Sequence, residues 1–264
     1  MLEIRNVSKT FKPGTINEKT ALKNLSLTLA DGDFVTVIGG NGAGKSTLLN
    51  AICGVWKPDS GSIVIDGDDI TALPDYKRAR YFGRVFQDPM MGTAADMEIA
   101  ENLALARRRG TRRGLRWGIT KSELNEYADL LAPLDLGLET RLTAKVGLLS
   151  GGQRQAITLL MASMNDPKVL LLDEHTAALD PKTAAKVLSL TEKVVSEKHL
   201  TTLMITHNMR DAITYGNRLI MLHEGRVILD ISGEDKKNLT VENLLTAFSR
   251  ASGSEFASDR ALLG

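Results

Sequence analysis

Hydrophobic and polar positions along the 264-residue chain follow two rhythms. Near the start, apolar residues alternate with polar ones, at Leu2 and Ile4 and again at Leu25, Leu27 and Leu29. A period of two predicts half-exposed antiparallel strands, and Ser62–Asp66 reads the same way. Short apolar runs follow. Phe34–Ile38 is a β-rich run ending at glycines, with a helix-like segment, Lys45–Ile52, behind it. Val169–Leu172 is apolar throughout, as suits a parallel strand covered on both faces. Thr202–Thr206 and Arg218–Leu222 predict two more strands. Alternating strand and helix signals predict an α/β protein with a mainly parallel central sheet. Between about 90 and 150 the period lengthens, and Ala95–Arg107 and Lys121–Leu134 predict an inserted helical subdomain. A last helix is expected around Val241–Ser249. A loose end follows, since Ser252–Glu255 lacks any core pattern. The pattern shows no internal repeat.

Composition narrows this picture without changing it. Apolar residues make up 43% and charged residues 25%, the profile of a globular protein able to bury a sizeable core. A formal net charge of +1 and an aromatic content of 5% argue against nucleic acid as a partner. Cys53 is the single cysteine and cannot form an internal disulfide; with no secretory leader at Met1–Arg5, a reducing cytosolic setting is expected. No stretch approaches the roughly 20 apolar residues needed to span a bilayer. Work at a membrane would require another chain to do the spanning.

The chemistry begins at Gly39-Gly40-Asn41-Gly42-Ala43-Gly44-Lys45-Ser46-Thr47, which fits G-x-x-x-x-G-K-[ST]. Glycines let backbone N–H groups wrap a phosphate chain, and the helix start behind them favours negative charge. Lys45 is expected to reach the β- and γ-phosphates, and the Ser46 hydroxyl to ligate Mg²⁺. Asp173 and Glu174 end the buried run at Leu172, at the sheet edge where ligands of open α/β folds bind. Asp173 is the expected indirect Mg²⁺ partner, and Glu174 is suited to polarise the water attacking the γ-phosphate. No Asn-Lys-x-Asp guanine motif is present, so ATP is the expected nucleotide.

Leu149-Ser150-Gly151-Gly152-Gln153-Arg154-Gln155 resembles, residue for residue, the signature of ATP-binding-cassette ATPases. Gln87 in Val85–Pro89, the segment Ala177–Pro181 and His207 after Ile205-Thr206 appear in that family's order. The resemblance covers about residues 2–235. It implies a P-loop NTPase (RecA-like) core with an antiparallel β subdomain and an α-helical insert. The divisions would be 1–87 and 151–235 for the core, 88–150 for the helical subdomain and 236–264 for a tail. It also implies that Ser150, Gly151, Gly152 and Gln153 close over the nucleotide of a second subunit, with Asp180 reaching across the seam. Two complete sites then need a two-fold pair, expected to be a homodimer. Gln87 would touch Mg²⁺ or the attacking water, and His207 the γ-phosphate. Phe11 lies where the family has an aromatic residue stacked on adenine, although a core Phe on an edge strand explains it nearly as well.

Two departures stand out. His175 follows Glu174 where most relatives carry Pro, a change expected to be structural rather than catalytic. Residues 12–20 make a longer loop after Phe11 than many relatives have. Basic residues at Arg107–Arg109, Arg112, Arg113 and Arg116 read either as a solvated loop or as a surface for anionic lipid or a partner's acidic groove. Cys53 reads as a small buried apolar residue. Met90, Met91 and Met97 follow Gln87, where family members grip a transmembrane partner.

The function implied is the ATPase subunit of a bacterial-type importer on the cytoplasmic face of the membrane, serving a separate permease and, through it, an extracytoplasmic binding protein. Asp173–Asp180 matches a group of importer ATPases with aromatic amino acids among their suggested substrates. A split exporter is the first alternative. A soluble cassette protein of translation or DNA repair is the second, although the duplicated cassette or coiled coil typical of those proteins is missing.

Overall fold

The computed structural model describes residues 1–110 and 118–252. In chain order the elements are β1 (Leu2–Phe11), β2 (Lys19–Leu29), β3 (Phe34–Ile38), α1 (Lys45–Cys53), β4 (Ser60–Ile65), β5 (Asp68–Asp69), α2 (Asp75–Arg78) and β6 (Phe82–Val85). There follow α3 (Ile99–Arg107), α4 (Lys121–Leu131), α5 (Gly151–Ser163), β7 (Val169–Asp173), α6 (Pro181–Lys198) and β8 (Thr202–Ile205). The remainder is α7 (Met209–Thr214), β9 (Arg218–His223), β10 (Arg226–Ser232), α8 (Gly233–Lys237) and α9 (Val241–Ser252). They group into two compact units, Met1–Arg78 with the chain from His199, and Ala79–Lys198.

In the first unit the two alternating stretches face each other. Leu2 pairs with Leu29, Ile4 with Leu27 and Val7 with Leu25, so one face of the antiparallel sheet β2-β1-β4-β5 is apolar and buried. A register shift between Ile4 and Val7 accommodates Asn6, whose φ of 49° is left-handed and whose N–H is taken by the Ser26 hydroxyl at 2.9 Å. The same unit holds the strand order β10-β9-β3-β8, with β3 parallel to both β9 and β8 and β10 turned back antiparallel on β9. All five residues of β3 are buried, as its apolar run requires. The helix expected around Val241–Ser249 forms, and its Leu244 and Phe248 pack on Ile38, Met209, Ala212, Leu219 and Met221. The expected loose end beyond it lies outside the described residues.

The second unit contains the parallel pair β6–β7, registered Phe82 to Val169 and Val85 to Leu172. Its helices α3, α4 and α5 enclose Ile99, Leu103, Tyr127, Leu131, Leu138, Ile157 and Leu160. Two helices are shorter than their periodicity predicts. α3 starts at Ile99 rather than Ala95, because Glu98 and Glu101 form a capping box and Asn102 holds Ala94 outside the helix through bonds of 2.8 and 3.1 Å. α4 stops at Leu131, because Pro133 lacks an N–H and the chain tightens into a 3₁₀ turn over Ala132–Leu134.

Candidate functional site

β3 delivers the chain at Gly39, and α1 takes it away at Lys45. Between them the backbone takes values that only glycine tolerates easily. Gly39 has φ 152°, and a Cβ there would stand 2.3 Å from the Leu222 carbonyl oxygen. Gly44 has φ 105°, and its Cβ would stand 2.5 Å from the Ala21 carbonyl oxygen. The β9–β10 turn braces the loop, since Gly225 donates to the Ala43 carbonyl and accepts from Lys23, both at 2.9 Å. Buried Lys45 folds its ammonium back over the loop, donating to the carbonyls of Gly39 (2.6 Å) and Gly40 (3.2 Å). Asn41, Gly42 and Ser46 are exposed, Gly40 and Thr47 half-buried, and Ala43 buried. The result is a backbone cradle at a helix N-terminus, with one lysine inside it. That shape and charge suit a phosphate chain, and Ser46 is an open hydroxyl for a hard cation.

Two side chains at the two ends of α1 were not legible in the pattern. Lys19, expected only as part of a loop, opens β2, and its Nζ lies 2.9 Å from where a Gly42 Cβ would stand. Arg78 is buried and donates to the carbonyls of Ala51 (2.8 Å), Ile52 (2.9 Å), Thr71 (2.8 Å) and Leu73 (2.8 Å). It closes the C-terminal end of α1, where carbonyls lack helical partners and a cation is favoured. Cys53, expected to be buried, is half-buried there, because α1 ends at it and Gly54 turns the chain away. Phe11 meets the exposed Trp56 edge-on, with ring centroids 5.2 Å apart, and the Lys9 ammonium lies 5.7 Å from its ring. His207 is half-buried just beyond β8, between Thr206, whose N–H bonds the Val37 carbonyl at 3.1 Å, and Asn208, which caps α7.

The second unit carries the acidic pair. Asp173 closes β7 in an ion pair with Arg84 of β6 at 3.0 Å, both largely shielded; Arg84 also lies over the Phe86 ring at 4.6 Å. Glu174 follows with φ 47°, a left-handed backbone rare outside glycine. Its carbonyl accepts from Ala177 at 3.0 Å, so the chain turns at once. His175 points into the protein, 2% exposed, and its Nε2 is 3.1 Å from the Thr191 hydroxyl of α6. Burial pushes its pKa down to about 4, so the ring is neutral near pH 7. Asp180 caps α6 through the Thr183 N–H at 3.1 Å; the bonds from Thr183 hold its carboxyl below the usual range.

Gln87 is exposed beyond β6 and opens a segment in which Asp88 caps a 3₁₀ turn over Pro89–Gly92. Met90 and Met91 are exposed and Met97 half-buried. Gln155 of α5 donates to the Phe86 carbonyl at 3.4 Å, tying this segment to the signature helix. Ser150 caps that helix: its hydroxyl accepts from Gln153 N–H at 3.3 Å while Gln153 Oε1 accepts from Ser150 N–H at 3.2 Å. Ser150 and Gly151 stay exposed at the helix start, and Gly152 is buried. Arg154 holds the preceding turn through the carbonyls of Val146, Gly147 and Leu149. In the basic cluster, Arg107 pairs with Glu126 at 3.0 Å and Arg108 with Glu123 at 2.7 Å. Arg112, Arg113 and Arg116 lie outside the described residues.

A sequence profile of the ABC transporter family matches residues 22–177, more than half of the chain. The chain belongs to the ABC transporter family. It is 50% identical over 251 residues to the tyrosine transport ATP-binding protein of Clostridioides difficile, covering 95% of this chain and 100% of that one. The spermidine/putrescine import ATP-binding protein of Pasteurella multocida is 33% identical over 249 residues; the match covers 93% of this chain but 63% of that protein. Among solved structures, a dimeric ATP-binding cassette in a post-hydrolysis state with ADP and Pi aligns with a TM-score of 0.74 at 32% identity, covering 88% of this chain and 98% of that one. An ABC transporter cassette in its ADP conformation aligns at 0.77 and 28% identity, covering 97% and 99%. The P-loop NTPase fold expected from the sequence is therefore the fold found. The chain is the ATP-binding, ATP-hydrolysing subunit of an ABC transporter. Among the described residues no helix is long and apolar enough to cross a membrane.

Proposed function

We propose that this ABC subunit powers import of an amino acid, with an aromatic amino acid such as tyrosine as the cargo class. The observation that carries the reading is the 50% identity, end to end, with a tyrosine transport ATP-binding protein. In this reading the subunit sits on the cytoplasmic face of the membrane and pairs with a second copy of itself. It serves a separate permease, fed by an extracytoplasmic binding protein. The exposed Met90 and Met91 beside Gln87 supply an adaptable apolar surface for the permease.

At the site, the loop from Gly39 to Thr47 and Lys45 hold the phosphates, and Phe11 stacks on adenine. Ser46, Asp173 and Gln87 serve Mg²⁺, which neutralises charge on the phosphates when bound. Glu174 polarises the attacking water, and His207 contacts the γ-phosphate and steadies both. Ser150, Gly151, Gly152 and Gln153, with Asp180, complete the nucleotide site of the second subunit. Residues 88–150 form the helical subdomain, flanked by the two parts of the core, with a tail from 236.

The test is purification from native membranes with identification of the attached proteins, followed by ATP turnover of the reconstituted assembly with tyrosine-loaded binding protein. A permease in the complex and turnover raised by the loaded binding protein are expected. Isolation without any membrane protein would overturn the transport reading, and turnover indifferent to aromatic amino acids would overturn the cargo. Glu174→Gln with ATP is expected to run as a dimer in size-exclusion chromatography; a monomer would remove the paired site.

A further inference from the structure

The turn after β7 carries a buried side-chain bond that the catalytic reading leaves unused. Thr191 lies in the third turn of α6, fully buried, and its hydroxyl donates to the Val187 carbonyl at 2.9 Å. A hydroxyl carries one proton. With that proton given to Val187, the 3.1 Å contact with His175 is one in which the imidazole Nε2–H donates and Thr191 accepts. The ring therefore presents Nε2–H to Thr191. It ties the first residue after Glu174 to a helix 16 positions further on.

Glu174 is the residue next to that tie. Its φ of 47° is a conformation the backbone leaves unless its surroundings fix it. The turn bonds Ala177 N–H to Glu174 carbonyl and Leu179 N–H to Thr176 carbonyl close the loop on itself, but they do not attach it to a second element. His175 does. We propose that His175, locked to Thr191, is the positioning residue that holds Glu174 in its left-handed conformation and so aims its carboxylate. The inference rests on Glu174 being the residue that polarises water. It gives His175 and Thr191 no contact with nucleotide.

The experiment compares Thr191→Val, Thr191→Ser and Glu174→Gln in the full chain, with ATP turnover, affinity for a fluorescent ATP analogue and amide hydrogen exchange over residues 174–177. Val keeps the volume and removes the acceptor; Ser keeps the hydroxyl. Displacing a catalytic group by about 1 Å can cost up to roughly 100-fold in rate. We expect Thr191→Val to lower kcat roughly 10- to 100-fold with KM and analogue affinity within about twofold, and exchange at 174–177 to speed up. Thr191→Ser should restore both. Normal kcat in Thr191→Val, or loss equal in Val and Ser, overturns the proposal. So does a rise in KM alone. If Thr191→Val does not fold, His175→Leu, which removes the donor at similar bulk, takes its part. It should show the same fall in kcat with analogue affinity kept, and normal turnover in it would equally overturn the lock. An active Glu174→Gln would instead remove the role of Glu174 itself, a result distinct from a failed lock beside an inactive Glu174→Gln.

Discussion

The phosphate loop and the turn after β7 both project functional groups from the end of a strand, yet they are stiffened in opposite ways. From Gly39 to Gly44 the shape is a backbone property: left-handed glycines, carbonyls of Leu222 and Ala21 where side chains would go, and the Gly225 turn bonded to Ala43. From Asp173 to Asp180 the shape is a side-chain property: Arg84 on Asp173, Thr191 on His175, Asp180 on Thr183. The first region has no room for an added methyl at Gly39 or Gly44, where backbone carbonyls stand in the way. The second is expected to depend on those polar partners more than on close backbone approach.

The largest expected effect breaks the first region. Gly39→Ala drives a methyl into the Leu222 carbonyl at a φ of 152°, a strain of about 3 kcal/mol or more. Affinity for an ATP analogue should fall at least about 100-fold in a fluorescence titration. Near-normal binding would show that the loop is not fixed by backbone after all. Next comes Arg78→Met. It takes the guanidinium from the Ile52 carbonyl and leaves the Ala51 carbonyl with the Gly54 N–H at 3.2 Å, and should cost about 3 kcal/mol in urea unfolding. A loss below about 1 kcal/mol would mean that water replaces the guanidinium, and that the C-terminal end of α1 is softer than its bonds imply.

The second region is sharpened by pH. His175 has a folded pKa of about 4, against about 6.5 when the chain is unfolded. The unfolded chain therefore binds the extra proton between these values. Stability from the neutral ring is full above about pH 6.5 and is lost as pH falls toward 4, by about 3 kcal/mol in total. Carboxylates also titrate in the lower part of this window. The measurement is therefore the difference in urea stability between wild type and His175→Gln at pH 7.5 and at pH 4.5. The wild-type advantage should shrink by about 2.5 kcal/mol over that interval. An advantage independent of pH would place the ring in contact with water.

The same division explains how far the sequence could be read. β3, α1 and β7 were legible because an unbroken apolar run, a glycine pattern and a helix start are all local. β1 and β2 were legible as antiparallel strands because Leu2, Ile4, Leu25, Leu27 and Leu29 share one period, while their pairing with each other was not. His175 could be read as structural, but not as bonded to Thr191, since nothing at Thr191 marks a helical threonine as an acceptor for a ring 16 residues earlier. Arg78 was invisible for the same reason. Its four carbonyl partners belong to α1 and to the chain just before α2, and carbonyls leave no trace in side-chain identity. Trp56 was missed because an aromatic residue after a helix usually signals packing, and its neighbour Phe11 is 45 positions away.

Trp56 also gives the smallest and most discriminating prediction, because it asks whether a side-chain device assists the backbone-built end. Phe11 is met edge-on by Trp56 at an interplanar angle of 82°. An aromatic pair of this geometry contributes about 0.5–1.5 kcal/mol beyond its buried area. If that contact holds Phe11 ready to stack on adenine, Trp56→Leu raises KM for ATP about two- to tenfold and leaves kcat alone, since no group near the γ-phosphate moves. In a Phe11→Ala background the same substitution should have no further effect, because the ring it steadied is gone. An additive penalty would mean that Trp56 acts on β1 or on the end of α1 by packing. The phosphate-loop end would then owe its nucleotide affinity to the loop backbone and Lys45, and Phe11 would be a residue of the edge strand and not of the adenine site.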